Sequence, residues 1–229
     1  MKIAIISDIH SNFIALKEVL RKIKKKKIKK IFCAGDIIGY ASMPNECIKE
    51  LIKNNIKSIY GNHEFVLLNF QYANLLNYQA LKALIWHKEN LENFAWRWIK
   101  KLKEKLILKI GSKKIMIFHG SPENCFEYIW PDTSKEIFEY WLKKYNVDIL
   151  IFGHTHIPFI KNINSKLVIN PGSIGQPRDG NNKASFCIID LENLEAKIFR
   201  KIYDINKIAE DIKQKGLPRI FADRLYLGK

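Results

Sequence analysis

Short apolar stretches alternate with longer amphipathic stretches through the first 60 residues of the chain. The short stretches predict β-strands at 2–7, 31–34 and 56–60, since each is an apolar run bounded by polar or turn-forming residues. The amphipathic stretches predict helices at 13–26 and 44–54. Strands and helices that alternate in this order form a parallel sheet covered by helices. The pattern therefore predicts an α/β fold.

Residues 64–105 have a helical pattern that is rich in Trp and Leu. We expect two or three packed helices in this region. Trp86, Trp96 and Trp98 are assigned to their core, since aromatic residues at helical spacing are more often core residues than platforms for a nucleic-acid base.

Strand patterns resume after the helical region, and the later strands occur in pairs. The predicted elements are strands 115–118 and 149–152 with a helix at 134–145 between them, strand pairs 159–162 with 167–170 and 184–190 with 196–203, and a helix at 205–215. This order favours a second sheet packed on the first. No linker, repeat or low-complexity segment interrupts the chain, so we expect one domain over residues 1–229.

The composition bounds the class of protein. The chain has 229 residues, of which 47% are hydrophobic, enough for a sizeable core. No apolar run approaches the roughly 20 residues of a membrane span, and Asp8 and His10 interrupt the apolar start where a signal peptide would continue. The four cysteines form no C-x-x-C pair, which argues against a disulfide framework or a thiolate zinc site. We expect a cytoplasmic protein with no membrane partner.

The formal net charge of +16 raises the question of a nucleic-acid partner. Lysine is the dominant cation and is spread along the whole chain, whereas sequence-specific readers of nucleic acid rely on arginine. A solvated lysine surface is therefore favoured, and nucleic acid stays an alternative partner that is not favoured. The charge would still attract anionic substrates.

Five of the six histidines lie at the carboxyl ends of predicted strands, each beside Gly, Asp or Asn. The clusters are Asp8-Ile9-His10, Gly35-Asp36, Gly61-Asn62-His63-Glu64, His119-Gly120 and Gly153-His154-Thr155-His156. Any one of these residues alone has a structural explanation, such as a turn or a helix cap. Ligands of open α/β sheets bind beyond the carboxyl ends of the strands, so these clusters converge on one site. The sixth histidine, His87, lies within a predicted helix and is taken as background.

Carboxylate, imidazole and amide groups dominate these clusters, and thiolate is absent. Such a set suits Mn, Fe, Zn, Co or Ni better than Ca, and we expect Mn²⁺. The candidate ligands are Asp8, His10, Asp36, Asn62, His119, His154 and His156. Seven ligands are too many for one ion, whereas two ions roughly 3.5–4 Å apart that share one carboxylate would use them all. Two such ions suit displacement at phosphorus.

The order D-x-H, G-D, G-N-H-E, H-G and G-H-x-H, from Asp8 to His156, resembles the calcineurin-like metallophosphoesterase superfamily. The later run N-P-G-S-I-G-Q-P-R-D, residues 170–179, is similar to its small prokaryotic phosphodiesterase branch. The resemblance implies a four-layer α/β/β/α sandwich of two packed mixed sheets, with a dinuclear metal site at the carboxyl edge of the strands.

The resemblance also implies a role for each motif residue. The first metal would be held by Asp8, His10 and His156, the second by Asn62, His119 and His154, and Asp36 would bridge them. A hydroxide that bridges the two metals would be the nucleophile. The catalytic pair would be His63, which protonates the leaving alkoxide, and Glu64, which orients the His63 imidazole.

Departures from the family pattern narrow the substrate class. Tyr40 and Tyr60 stand where protein phosphatases of the superfamily carry arginine. A monoester dianion needs more positive charge than a diester monoanion, so the absence of these two arginines favours a diester substrate. Arg178 would bind substrate, or else pair with Asp179 or a carbonyl group. Asn12 would orient the first metal cluster, or else cap a helix.

The sequence therefore predicts a metal-dependent phosphodiesterase that acts on a small phosphodiester. A phosphomonoesterase or a nuclease built on the same site is one alternative. A non-catalytic scaffold that carries metal is another, and it would bind a partner through an exposed apolar patch. A homo-oligomer is compatible with the sequence.

Overall fold

The structure is a computed structural model that describes all 229 residues. It contains ten strands: β1 (Lys2–Ile6), β2 (Lys30–Cys33), β3 (Lys57–Ser58), β4 (Leu106–Ile110), β5 (Lys113–Ile117), β6 (Ile149–Ile151), β7 (Phe159–Ile163), β8 (Lys166–Asn170), β9 (Ala184–Asp190) and β10 (Glu195–Lys201). They form two mixed five-stranded sheets, in the orders β10-β9-β1-β2-β3 and β4-β5-β6-β8-β7. The strands β1, β2 and β3 are mutually parallel in one sheet, and β5, β6 and β8 are parallel in the other.

Eight α-helices accompany the sheets: α1 (Phe13–Lys25), α2 (Pro44–Lys53), α3 (Asn62–Leu68), α4 (Tyr78–Asn90), α5 (Asn93–Ile99), α6 (Lys135–Lys144), α7 (Ile205–Gln214) and α8 (Arg219–Leu227). A 3₁₀ helix, Phe70–Leu75, connects α3 to α4. None of these helices is long and apolar enough to cross a membrane.

The strand β1 shows how alternation in the sequence builds the layers. Ile3 and Ile5 are fully buried between the two sheets, whereas Ala4 and Ile6 are buried against the helices on the other face of the first sheet. Successive side chains of a strand point to opposite faces, so a strand buried on both sides is a continuous apolar run. Helix α6 covers the outer face of the second sheet through a third cluster that includes Phe138. The fold is thus an α/β/β/α sandwich, as predicted.

Helix α1 illustrates how a helix of the outer layer forms. The Asn12 side chain caps it by accepting a hydrogen bond from the Ala15 backbone N–H at 3.0 Å. The buried residues of α1 recur at spacings of three or four, which places them on one face; they are Ala15, Leu16, Val19, Leu20 and Ile23. Three lysines in its last turn complement the helix dipole.

The structure corrects the expected placement of the late strand pairs. We expected them to build a second sheet together, but β7 and β8 join the second sheet and β9 pairs with β1 in the first. Two further elements were not predicted. Strand β4 forms a hairpin with β5, and α8 lies in the tail to which the sequence pattern assigned no structure.

Candidate metal centre

Six of the seven predicted ligands meet where the loops after β1, β2, β5 and β6 converge, and Asn62 joins them from the start of α3. The backbone N–H of Asp8 donates to Gly35 O, and that of His10 donates to Asp36 O, each at 3.0 Å, which joins the first two loops. Gly153 N–H donates to His119 O at 2.9 Å and joins the other two. The sequence prediction that these separate motifs share one edge of the sheets is confirmed.

Unusual backbone conformation concentrates in these loops. Positive φ angles between 47° and 69° occur at five of the seven expected ligands, namely Asp8, His10, Asp36, His154 and His156. Such a conformation costs roughly 1–3 kcal/mol at a residue other than glycine and persists only where the surroundings impose it. The loops thus hold these side chains in directions that an ordinary turn would not give.

One group of potential metal donors consists of Asp8, His10, Asp36 and His156. His10 Nε2 lies 3.6 Å from Asp36 Oδ2, and His156 Nε2 lies 3.4 Å from Asp8 Oδ1. All four side chains are buried. These ligand atoms lie close enough together to contact a single ion.

A second group consists of Asp36, His119 and His154. His119 Nε2 lies 3.2 Å from Asp36 Oδ2 and 3.2 Å from Asn62 Oδ1. Asn62 therefore adds an amide oxygen to this group. Because Asp36 belongs to both groups, its carboxylate lies between the two sets of imidazoles.

The far nitrogen of each imidazole ring is held by a backbone carbonyl. Nδ1 contacts Ile38 O at 3.0 Å in His10, Ala34 O at 2.8 Å in His119 and Gln176 O at 2.5 Å in His156. In His154 the roles are reversed, because Nε2 contacts Phe126 O at 3.1 Å and leaves Nδ1 towards the site. A carbonyl can only accept, so each of these nitrogens carries the proton, and the opposite nitrogen presents a lone pair when the ring is neutral.

The contact between His10 and His156 shows that the site suits a cation. Their Nε2 atoms are only 2.9 Å apart, yet both rings already carry their proton on Nδ1. Burial holds the pKa of both imidazoles well below the usual value, so neither ring is charged. Two lone pairs therefore face each other without a hydrogen. Nearby, Asp8 Oδ2 is buried and has no hydrogen-bond partner. A divalent cation would satisfy all three atoms.

The pKa values of the two carboxylates of the site are shifted in opposite directions. Burial raises the pKa of Asp8 to about 7. Burial would also raise the pKa of Asp36, but the charges of His119 and His63 hold it well below its usual value. Burial alone would lower the pKa of His119, but Asp36 raises it to about 9. The protein without metal thus compensates one carboxylate with an imidazolium ion, a charge that a metal would supply instead.

His63 is buried beside these groups, with Nε2 4.0 Å from Asp36 Oδ2. Its Nδ1 atom has no hydrogen-bond partner. The ring is enclosed by His10 and Tyr40, with ring centroids at 4.9 and 4.7 Å. Gly39 completes the enclosure: its φ is +107°, and a Cβ there would lie 2.5 Å from His63 Nδ1. Only glycine fits this position. The Gly39 backbone therefore packs closely against the imidazole and, with His10 and Tyr40, restricts its orientation.

The predicted contact between Glu64 and the His63 imidazole is wrong. Both carboxylate oxygens of Glu64 are occupied by backbone N–H groups: Oε1 accepts from Ile38 at 2.8 Å, and Oε2 accepts from Gly61 at 2.8 Å and Asp36 at 3.1 Å. Glu64 lies at the start of α3, where it closes a capping box with Gly61. Its role in the structure is to tie the Asp36 loop to α3.

Asn12 and Arg178 occupy different surroundings. Besides capping α1, Asn12 donates from Nδ2 to Gly175 O at 3.0 Å, so its amide is fully engaged with backbone. Arg178 bonds to Gln176 Oε1 through Nε and Nη2, and to the Tyr40 hydroxyl at 3.1 Å. Asp179 pairs with Arg200 instead. The charge of Arg178 is therefore not neutralised by a carboxylate.

A cavity of about 430 Å³ opens above these side chains. Its floor is formed by Asp36, Asn62, His63, His154 and His156. Arg178 is the one Lys or Arg side chain in its lining. The rest of the lining includes Leu75, Leu76 and Ala80, which run from the end of the 3₁₀ helix into the first turn of α4, and Phe126 and Tyr128 from the loop after β5. The cavity has the size of a small-molecule site.

His87 was not predicted to have a role at the site, but in the structure it contacts the loops that form the site. His87 is fully buried in α4, and its Nε2 lies 2.7 Å from Ala41 O and 3.2 Å from Ser11 Oγ. These partners belong to the two loops that carry His10 and Tyr40. A polar residue on the buried face of α4 was the available signal, since a buried imidazole needs a partner.

Comparison with known proteins agrees with this geometry. The family model of the calcineurin-like phosphoesterase superfamily domain matches residues 1–194. An uncharacterized protein of Methanocaldococcus jannaschii is 38% identical over 99% of this chain and 98% of its own length. A phosphodiesterase of the same organism is 24% identical over 75% of this chain and 83% of its own length.

Two crystal structures share the fold over the whole chain. A hypothetical protein from Pyrococcus horikoshii superposes with a TM-score of 0.89 at 29% identity, and covers 100% of this chain and 98% of its own. A metallophosphoesterase from Sphaerobacter thermophilus superposes with a TM-score of 0.81 at 28% identity, and covers 100% of this chain and 99% of its own. From its sequence and its fold, the chain belongs to the calcineurin-like phosphoesterase superfamily.

Proposed function

We propose that the protein is a metal-dependent phosphodiesterase that hydrolyses a small phosphodiester. One observation carries this proposal: Asp36 belongs to two groups of metal donors on the floor of a cavity with a single cationic side chain, Arg178. A shared carboxylate between two donor sets suits a pair of ions. A single guanidinium suits the one negative charge of a diester.

The ligands assigned to one ion are Asp8, His10 and His156, those assigned to the other are Asn62, His119 and His154, and Asp36 is assigned to both. The mixture of carboxylate, imidazole and amide donors favours Mn²⁺, with Fe, Zn, Ni and Co as alternatives. When bound, the ions would supply Lewis acidity, which polarises phosphoryl oxygens and lowers the pKa of water.

Arg178 binds the substrate in this proposal. Its guanidinium lines the cavity, and Gln176 and Tyr40 hold it without neutralising its charge. Nη1 makes no hydrogen bond within the protein, so it is free to donate to a phosphoryl oxygen.

His63 donates the proton to the leaving alkoxide. Its ring is fixed by Gly39, Tyr40 and His10, and it lines the cavity floor beside Asp36. A general acid must lie within reach of the leaving oxygen and keep its orientation during the reaction. Burial holds the pKa of the His63 imidazole below its usual value, and the charge of Asp36 opposes this lowering and so favours the protonated form.

The relative named phosphodiesterase supports a diester substrate, and a cavity volume of about 430 Å³ favours a small molecule over a polymer. The test is hydrolysis of bis(p-nitrophenyl) phosphate and of p-nitrophenyl phosphate by protein loaded with Mn²⁺, before and after chelation. Activity that favours the diester and disappears with the metal supports the proposal. Preference for the monoester would indicate a phosphatase, and preference for single-stranded RNA or DNA a nuclease. Absence of hydrolysis with Mn, Fe, Zn, Ni and Co would favour a metal-bearing scaffold.

A further inference from the structure

Beyond the metal donors, the side chains that line the active-site cavity are of two kinds. Arg178 is the one Lys or Arg side chain, whereas Leu75, Phe126 and Tyr128 are apolar or aromatic and are called here the apolar wall. A phosphate group bound at the floor would use Arg178 and leave the apolar wall uncovered. The apolar wall gains free energy only if another part of the ligand covers it.

Exposed aromatic side chains concentrate on the two segments that bound this cavity. Of the six exposed aromatic residues of the chain, four lie in residues 72–78 and 128–130, namely Tyr72, Tyr78, Tyr128 and Trp130. Tyr128 is 50% exposed and packs against His154 with ring centroids at 4.2 Å. Trp130 is 43% exposed and lies parallel to Tyr128, with centroids at 5.4 Å. The rings of His154, Tyr128 and Trp130 thus form a continuous series that begins at a metal donor and ends at an exposed side chain.

Two amide groups add hydrogen-bond donors to the cavity. Asn77 Oδ1 accepts from the backbone N–H of Ala80, and Asn124 Oδ1 accepts from that of Phe126, each at 2.9 Å. These bonds fix which end of each amide is the oxygen. The Nδ2 groups have no partner in the protein, and both residues line the cavity. They would suit the carbonyl oxygens or ring nitrogens of a ligand.

We propose that one ester arm of the substrate is a nucleoside, whose base contacts the wall of Phe126 and Tyr128 and accepts hydrogen bonds from Asn77 and Asn124. A heteroaromatic base combines a flat apolar surface with acceptors at its edge, which an alkyl or acyl chain lacks. The cavity volume of about 430 Å³ has room for one nucleotide. This inference rests on the proposed phosphodiesterase function.

The test is equilibrium binding to Mn²⁺-loaded protein, measured by calorimetry with adenosine 5′-monophosphate, uridine 5′-monophosphate and ribose 5-phosphate. These ligands share the sugar phosphate and differ only in the base. We expect at least one nucleotide to bind roughly tenfold or more tightly than ribose 5-phosphate, which is the scale of one base contact with an aromatic side chain. Equal affinities for all three ligands would overturn the inference.

Two variants identify the source of the preference. Asn77→Asp keeps the oxygen that caps α4 but removes the Nδ2 donor, and Tyr128→Leu removes one ring from the wall. Each should reduce the ratio of nucleotide to ribose 5-phosphate affinity several-fold. The ratio cancels general effects on phosphate binding, and the metal content of each variant verifies that the site is loaded. A wild-type ratio in both variants would overturn the assignment.

The matched control is Tyr140→Leu on α6, where the tyrosine is 58% exposed and does not line the cavity. This variant should keep the wild-type ratio, and an equal reduction there would contradict a specific role of the wall. The assay needs no turnover, so it separates the two proposals. Base preference without diester hydrolysis would contradict only the proposed function, and hydrolysis without base preference would contradict only this inference.

Discussion

The backbone N–H of His63 donates a hydrogen bond to Asp36 Oδ1 at 3.0 Å. This bond engages one carboxylate oxygen and leaves Oδ2 facing His10 and His119, at 3.6 and 3.2 Å. It also sets the distance between the assigned bridging ligand and the assigned general acid. The two residues come from separate loops, after β2 and at the start of α3, so their relative position depends on the bonds between these loops.

Replacement of Asp36 tests the shared ligand. Asn in Asp36→Asn can still accept from the His63 N–H, so the loops should stay in place while the charge between the two donor groups is lost. We expect metal content to fall at both positions and diester hydrolysis to fall by more than about 100-fold, since even partners of ligands affect metal binding by 10–100-fold. Elemental analysis of the purified variant measures this. Two retained equivalents of metal would contradict a shared role.

Replacement of Glu64 tests its revised role. In Glu64→Gln, one of the two carboxylate oxygens becomes an NH₂ group that faces backbone donors, which leaves buried groups unsatisfied. The free energy of unfolding should fall by about 1–3 kcal/mol, as measured by denaturant unfolding. The exposed Glu92, whose side chain makes no capping bond, supplies the control variant Glu92→Gln. Equal stability of both variants would show that the three contacts contribute little.

Replacement of Arg178 tests substrate binding. Arg178→Gln should raise KM for the diester about tenfold and change kcat less, because one charge-assisted bond to the phosphate is lost. The control is Arg97→Gln on the exposed face of α5. A change in kcat alone, with KM at the wild-type value, would argue against a binding role.

His87 predicts how stability depends on pH. Burial lowers the pKa of His87 to about 3, whereas its usual value is 6.5. Between these values the unfolded chain binds a proton that the folded protein does not, so stability is complete above pH 6.5 and is lost as the pH falls. Each unit of difference between the two pKa values corresponds to about 1.4 kcal/mol in the free energy of unfolding.

The measurement is unfolding of metal-free protein at pH 7 and pH 5, with His87→Gln alongside. Other site histidines titrate in both proteins, so the difference between them isolates His87. We expect the wild type to lose about 2 kcal/mol more than the variant over this range. Parallel stability curves for the two proteins would contradict a neutral, buried His87.

Local patterns predicted much of this fold and site, and the failures have physical causes. The strand β1 and helix α1 were predicted almost to their ends. Burial on both faces of the sheet makes β1 a continuous apolar run, and burial on one face of α1 spaces its apolar residues by three or four. The ligand motifs were predicted to converge because parallel strands end at the same edge. The pairing of β9 with β1 depends on contacts between distant segments, which no local period records.

The roles of single side chains were less predictable. The family resemblance implied that Glu64 orients the His63 imidazole, but adjacent residues in the first turn of α3 point in different directions. Glu64 instead meets the loop after β2, a contact that only the folded chain creates. The contacts of His87 with two distant loops could not be predicted from the sequence for the same reason.

The central claim is metal-dependent hydrolysis of a phosphodiester with His63 as the acid. The most direct test compares wild-type and His63→Ala protein, each loaded with Mn²⁺ and analysed for metal, in hydrolysis of bis(p-nitrophenyl) phosphate. We predict equal metal content, chelator-sensitive activity in the wild type, and a loss of about 10²–10⁴-fold in kcat for the variant. Wild-type kcat in a fully loaded His63→Ala protein would contradict the account.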